Sequence, residues 1–342
     1  MSTFFTDMKK SISMRFSGEL SQEINKRIAE IRKYLEVIDE LQAAHSQTSD
    51  FWLEWFMDCQ KTQLSAELKF IKKVRFIPAQ IMGDDNAAAN KIYERYMGQL
   101  MENGKPKLKD IILPLPRDKS FANAFFHVML GCLPSYLLED ADEDVYYALM
   151  DIMPEGPYEY MAVRLEKGDV VIDAGANFGV FSALAGVKGC RAYAFEPMPF
   201  IIDKYLSQTA DLNPNITICQ YALSDKAGEL IFDEDSAGLL SSSSVITKKG
   251  SNRLRVQAID LDTFAEENNL PRVDFIKADI EGAERHMLMG AKRVLKEFAP
   301  KIAVCTYHFP NDPQVLREII LDANPKYVIE ERWKKMYAYV PE

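Results

Sequence analysis

The stretch Asp169-Val170-Val171-Ile172-Asp173-Ala174-Gly175-Ala176-Asn177-Phe178-Gly179-Val180 decides the fold. It starts as an apolar strand and ends in a turn of small residues, Gly175 to Gly179. The segment FSALAG (181–186) then continues as a helix. Small residues let a ligand approach the backbone closely, and a helix start offers N–H donors with no partner in the helix. Dinucleotide enzymes share this kind of turn, so the glycines alone do not name the ligand. Two details point away from a dinucleotide. Asp173 stands two positions before the first glycine, where it can accept hydrogen bonds from a ligand ammonium group. Asn177 occupies the place of the middle glycine of the dinucleotide pattern.

Working outward, RAYAFE (191–196), ITICQYAL (216–223), RLRVQAI (253–259), VDFIKADI (273–280) and IAVCTYH (302–308) repeat the theme of a short apolar run. Several are separated by helical segments, which argues for a parallel sheet covered on both faces. At the end, YVIEE (327–331) and KMYAYV (335–340) flank Arg332-Trp333-Lys334 and read as a strand pair joined by a tight turn.

The strand ends carry the chemistry. Glu196-Pro197 closes the second run, and a carboxylate there is placed to hold two ribose hydroxyls, whether of NAD or of an adenosyl ligand. In YALSDKAG (221–228), Ser224 and Asp225 either reach an adenine edge or form an ordinary Asx turn. In IKADIEGAERHMLMGAKRVL (276–295), Asp279 and Glu281 stand at a strand tip, and Gly282 allows the turn into the next helix. Carboxylates at the carboxyl end of a parallel strand face the ligand cleft. There they can position or deprotonate an acceptor hydroxyl. The following strand delivers Tyr307 and His308 to the same edge, His308 being either structural or part of the site.

Taken in order, DVVIDAGANFGVFSALA, AFEPMP, ALSDKAGEL and VDFIKADIEGAERHMLMGAKRVL resemble the FkbM family of S-adenosylmethionine-dependent methyltransferases over roughly residues 154–342. The resemblance implies an α/β fold: a class I methyltransferase, Rossmann-like, doubly wound sheet, seven-stranded and mostly parallel with an antiparallel last strand. It implies O-methylation of a hydroxyl on a sugar, lipid or related small acceptor. Asp173, Gly175, Ala176, Asn177 and Gly179 would then border the methionine and ribose of the cofactor. Glu196, with Pro197, would hold the ribose, Ser224 and Asp225 would lie near adenine, and Asp279 and Glu281 would sit near the transferable methyl. His308 or Asp279 is expected as the base, with Glu281 orienting the acceptor or that base. No metal ligand is assigned. A divalent metal held by Asp279, Glu281 and His308 is the weaker alternative, because the sequence does not set their geometry. The competing functions are an NAD-dependent oxidoreductase on a similar sheet and a non-catalytic interaction protein that keeps the fold.

Residues 1–153 match no such pattern and read as a mostly helical N-terminal domain. Ile24, Ile28, Ile31, Leu35 and Ile38 form a short coiled-coil-like seam, which is either internal packing or a homodimer contact. Trp52, Trp55, Phe56 and Cys59 share one helical face and are expected to be buried. The basic run Lys69, Lys72, Lys73, Arg75 reads as a solvated helix face, and Leu113-Pro114-Leu115-Pro116 as an extended linker. The carboxylates from Glu139 to Asp144 read as the start of a helix. The expected role of this domain is to cover the cleft, pair subunits, or both.

Composition bounds the rest. The 342 residues suit about two domains, and the mix of 47% hydrophobic and 27% charged residues is that of a soluble globular protein. The net charge of −10 is spread over both halves, with 19 basic and 23 acidic residues before Pro154 and 22 and 28 from it onward. Neither half invites nucleic acid phosphates or anionic membranes. No apolar run approaches the ~20 residues of a membrane span, and the first residues lack the features of a secretory signal. Cys59, Cys132, Cys190, Cys219 and Cys305 are scattered and read as reduced thiols. A cytoplasmic location is the expectation.

Overall fold

The computed structural model describes residues 18–45, 50–74, 101–102, 105–114, 128–129, 131–151, 156–233 and 253–341. The basic-run side chains, Pro116, Pro154 and the serine run 241–244 lie outside them. The chain divides into two units: residues 1–104, 115–130 and 134–154 form one, and residues 105–114, 131–133 and 155–342 form the other.

In the first unit, helices Gly18–Ala44 and Phe51–Val74 are joined by a short connection. Asp50 caps the second helix by accepting from the amides of Trp52 and Leu53. Gln42 donates to Asp58, and Lys61 donates to Gln42, so the end of the first helix lies against the early turns of the second. Of the seam, Ile31 and Ile38 are fully buried. Trp55, Phe56 and Cys59 are buried too, and Trp52 packs edge-on against Trp55. Asp142 accepts from the Asp144 amide at the start of helix Glu143–Asp151, which accounts for part of the acidic cluster.

The second unit is built on a seven-stranded sheet. Its strands are β1 (Val170–Ala174), β2 (Arg191–Phe195), β3 (Ile216–Cys219), β4 (Phe275–Ala278), β5 (Lys301–Cys305), β6 (Val328–Arg332) and β7 (Lys335–Tyr339), in spatial order 6-7-5-4-1-2-3. Neighbours from β5 across to β3 pair in parallel, and β7 runs antiparallel between β5 and β6. This is the class I methyltransferase arrangement, a Rossmann-like doubly wound α/β sheet. Chain order reverses direction at β1, between β4 and β2, and in such sheets ligands bind at that switch point, beyond the carboxyl ends of the strands. The central strands are apolar apart from Asp173 and Lys277, the pattern of strands covered on both faces. Ile172, Ala174, Ile276, Ala278, Ile302 and Val304 are fully buried. The β6–β7 turn is two residues long, and Trp333 (φ 53°) and Lys334 (φ 62°) both take left-handed backbone, the geometry of a tight hairpin.

One expected strand lies elsewhere. RLRVQAI forms strand Arg253–Ile259 in a separate three-stranded sheet, antiparallel to Gly228–Asp233 and parallel to Ala222–Leu223. Its side chains alternate, with Val256 and Ala258 buried and Arg255 and Gln257 exposed. That is the pattern of a sheet covered on one face only. Short hairpin segments Lys105–Leu108 and Ile111–Ile112 also belong to this unit, and Asn213 donates to the Ile112 carbonyl. Among the described residues no helix is long and apolar enough to cross a membrane.

Candidate active site

A buried ion pair lies beneath the site. Lys277 in β4 stands directly opposite Asp173 in β1. Its Nζ lies 3.0 Å from Asp173 Oδ1 and donates to the carbonyls of Ala174 and Gly175. Burial opposes the charge on Lys277, but Asp173 and Asp279 outweigh it and raise its pKa. Ser182 donates to the other Asp173 oxygen at 2.7 Å. Asp173 is therefore fully buried and engaged by the protein. It ties the glycine turn to β4 and helix Val180–Val187 instead of presenting a free carboxylate. Burial charges are tolerated here because each has a partner and further hydrogen bonds.

Above this pair the turn bends sharply. Gly175 (φ 74°), Asn177 (φ 51°) and Gly179 (φ 77°) all take left-handed backbone, and Ala176 is buried between them. The amides of Gly175 and Ala176 both donate to the Phe195 carbonyl. A Cβ at Gly175 would stand 2.1 Å from the Asp279 carbonyl oxygen, so only glycine lets the turn and the β4 tip touch. Asn177 Oδ1 is buried and has no hydrogen-bond partner among the described residues.

Glu196 ends β2 and is 6% exposed. Its carboxylate accepts from the amides of Asn177 (3.1 Å) and Met198 (3.0 Å), which orients it across the mouth of the turn. Pro197 lies between those anchors. Burial pushes the Glu196 carboxyl up to about 7, against the opposing pull of the two amides. Ser224 and Asp225 lie beside His286 and Gly290. Ser224 Oγ donates to Asp225, whose carboxylate is 3.8 Å from His286 Nδ1. The Ser224 carbonyl crowds the Gly290 position.

The β4 and β5 tips form the acidic side of the site. Asp279 accepts from Tyr158 OH at 2.9 Å and from Tyr307 OH at 3.1 Å, one hydroxyl on each oxygen. Burial opposes its ionisation, but Lys277, His308 and Lys335 prevail and lower its pKa. Glu281 has left-handed backbone (φ 59°), the kind of strain that collects at functional tips. Gly282 (φ 99°) follows it, and a Cβ there would press on the Phe309 ring, 2.8 Å away, so glycine lets the β5 exit close over the tip. Glu284 is fully buried and accepts from the amides of Ile280 and Gly282.

His308 lies among these acids: Nδ1 is 3.1 Å from Glu284, and Nε2 is 3.2 Å from Glu281 and 3.7 Å from Asp279. Burial disfavours a charged ring, yet Glu281 and Glu284, with Asp279 beside them, raise its pKa to about 11. These acids favour the protonated ring at neutral pH, a form with no lone pair for a further proton.

Three participants escaped the sequence reading. Lys277 carries a signal in hindsight: one lysine inside the apolar strand VDFIKADI demands a buried partner. Glu284 looks like a surface helix residue until its two amide bonds are seen. Tyr158 reaches Asp279 from 121 positions away, which no spacing rule reveals.

Residues 173–328 match the methyltransferase FkbM domain. The match starts at the buried aspartate of β1 and ends at the first residue of β6, so it contains the glycine turn, Glu196 and the acidic tip. The chain is 27% identical over 159 residues to the hexuronic acid methyltransferase AglP of Haloferax volcanii, spanning 46% of this chain and 64% of that relative. It is 26% identical over 213 residues to the methyltransferase sdnD of Sordaria araneosa, spanning 50% and 81% of the two chains. Among solved structures, it is similar to an FkbM methyltransferase from Methylobacillus flagellatus, with 21% identity, a TM-score of 0.42, and coverage of 74% of this chain and 60% of that one.

Proposed function

We propose that this protein transfers a methyl group from S-adenosylmethionine to a hydroxyl of a sugar-type acceptor. The observation that carries the reading is the contact at Gly175: the turn that borders the cofactor touches the β4 tip that carries Asp279 and Glu281. Donor side and acceptor side thus meet at the switch point of the sheet.

The residues present suit an adenosyl cofactor. Glu196 is oriented by two amides, and each oxygen keeps a lone pair for a ribose hydroxyl. The unpartnered Asn177 Oδ1 is an acceptor for the same ligand. Ser224 and Asp225 are assigned to the adenine side. Bound S-adenosylmethionine supplies an already activated methyl on a sulfonium. The protein's work is alignment and management of one proton. Asp279 (23% side-chain exposure) and Glu281 (27%) are the carboxylates an acceptor can reach, whereas Glu284 is closed off. Asp279, clamped by two tyrosines, receives the proton, and Glu281 orients the hydroxyl. A sugar acceptor is favoured by the likeness to the hexuronic acid methyltransferase. The five cysteines, free and buried, suit a reducing compartment such as the cytoplasm. The helical unit is assigned to covering the acceptor or pairing subunits. Light scattering on the full chain reads the second role.

The test is calorimetry with S-adenosylhomocysteine and with NADH, followed by methyl transfer to hexuronate-containing oligosaccharides. S-adenosylhomocysteine is expected to bind, and the product methyl to survive mild alkali, as an ether does and an ester does not. Binding of NADH alone would overturn the reading.

A further inference from the structure

The glycine turn already holds an ammonium, and it belongs to the protein. Lys277 Nζ stands 3.0 Å from Asp173 Oδ1, 3.2 Å from the Ala174 carbonyl oxygen and 2.7 Å from that of Gly175. An ammonium has three protons to donate, and these three acceptors take them all. The Tyr158 ring faces the same nitrogen, its centroid 5.3 Å away, and adds a cation–π contact. Ser182 takes the other Asp173 oxygen. Asp173 is 0% exposed and Lys277 4%, so no ligand ammonium reaches this carboxylate while the lysine is in place. The acceptors that a ligand would use here are filled from within the chain.

A lysine in this place does more than join two strands. Lys277 and Asp173 face each other within the β4–β1 ladder, whose backbone bonds already align the strands. The ladder does not hold the turn beyond it, and two of the three ammonium protons go to that end of β1. Gly175 has left-handed backbone (φ 74°), with its carbonyl bonded to Lys277. On the β2 side, the amides of Gly175 and Ala176 donate to the Phe195 carbonyl. The turn is thus gripped by its carbonyls from β4 and by its amides from β2. Lys277 also stands two positions before Asp279, so strand alternation puts both side chains on one face. Tyr158 links them, with its ring against the ammonium and its hydroxyl donating to Asp279. We propose that Lys277 is a positioning residue for methyl transfer. It holds the Gly175 turn in the shape that receives the cofactor and sets that turn against Asp279, while Asp173 serves as its counter-ion and does not touch the ligand. That the turn receives an adenosyl cofactor rests on the methyl-transfer reading, whereas the grip on Gly175 does not.

Calorimetry on the full chain separates the two roles open to Asp173, using S-adenosylhomocysteine and its analogue lacking the α-amino group. Asp173→Asn is expected to change both affinities by the same factor. A loss confined to the amino-bearing ligand would show Asp173 holding the ligand ammonium and overturn the proposal. Lys277 is tested in the double variant Asp173→Leu with Lys277→Met, which leaves no unpaired buried charge. Its melting temperature should stay near that of the wild type. S-adenosylhomocysteine should nevertheless bind at least about tenfold more weakly, on the scale of one or two lost hydrogen bonds. Wild-type affinity in the folded double variant overturns the positioning role. If that variant does not fold, nuclear magnetic resonance of the ligand-free wild type decides. A protected Lys277 ammonium signal, coupled through its hydrogen bond to the Gly175 carbonyl carbon, supports the grip, and its absence overturns it. Wild-type protein that shows this signal and binds no S-adenosylhomocysteine leaves the grip standing and sinks the methyl-transfer reading.

Discussion

Burial raises the Glu196 carboxyl from 4.5 to about 7, so the free protein holds a proton there that the unfolded chain has lost. Between those values the native state binds more protons, and this group's contribution to stability falls as pH rises. Ribose hydroxyls need the ionised form, so cofactor affinity moves the other way. S-adenosylhomocysteine is expected to bind up to about tenfold more tightly at pH 8 than at pH 6, by linkage through a group titrating near 7. Glu196→Gln should weaken binding and flatten that dependence. Calorimetry across the range checks both, and an equally steep profile in the variant would clear Glu196 of the role. Tyr158 acts through Asp279. Its hydroxyl bond to a carboxylate is worth about 1.5 kcal/mol or more, so Tyr158→Phe should lower kcat about tenfold. Affinity for S-adenosylhomocysteine should stay unchanged, a split that a general loss of fold would not produce.

At the scale of elements, β1 and β4 are locked by one pair of opposite charges. Lys277→Met leaves Asp173 buried without its cation and should cost about 3–5 kcal/mol in urea unfolding. The double variant Asp173→Leu with Lys277→Met should recover most of it, because apolar replacements remove both desolvation costs together. If the single and double variants are equally destabilised, the pair does not hold the strands. The β6–β7 turn offers a contrasting case. Lys334 takes φ 62° with no glycine, so Lys334→Gly should raise stability by up to about 1 kcal/mol, read as a higher melting temperature. The turn was legible from Arg332-Trp333-Lys334 between two apolar runs. Its left-handed backbone was not, since neither central residue is of the type that favours it.

At the scale of the whole molecule, the two units divide at Pro154, and two earlier segments also belong to the second unit. Residues 105–114 and 131–133 are those segments, and Leu108, Ile111, Leu113 and Leu133 are fully buried. A fragment beginning at Gly156 should therefore melt below one beginning at Lys105, because it lacks part of its own core. Equal melting temperatures would show these segments to be dispensable. The sheet itself could be read from the chain. Short apolar runs, a glycine turn and carboxylates at strand ends obey local periodicity and turn chemistry, which depend on neighbours a few positions away. RLRVQAI has the apolar content of a strand of that sheet, but its side chains alternate, and it pairs in the separate three-stranded sheet. Asp173, Glu196, Asp279, Glu281 and His308 were visible as candidates by the same local logic. Which of them face a ligand, which hold the frame and which carry a proton was decided only by folding. Asp173 is neutralised by Lys277 across a strand pair, Asp279 is clamped by Tyr158 and Tyr307, and His308 is ringed by acids from the preceding strand tip. Sequence sets the kind of group at each strand end. Charge state and exposure depend on groups distant in the chain, up to 121 residues apart, brought within about 3 Å only by the tertiary structure, where low dielectric makes each such neighbour count.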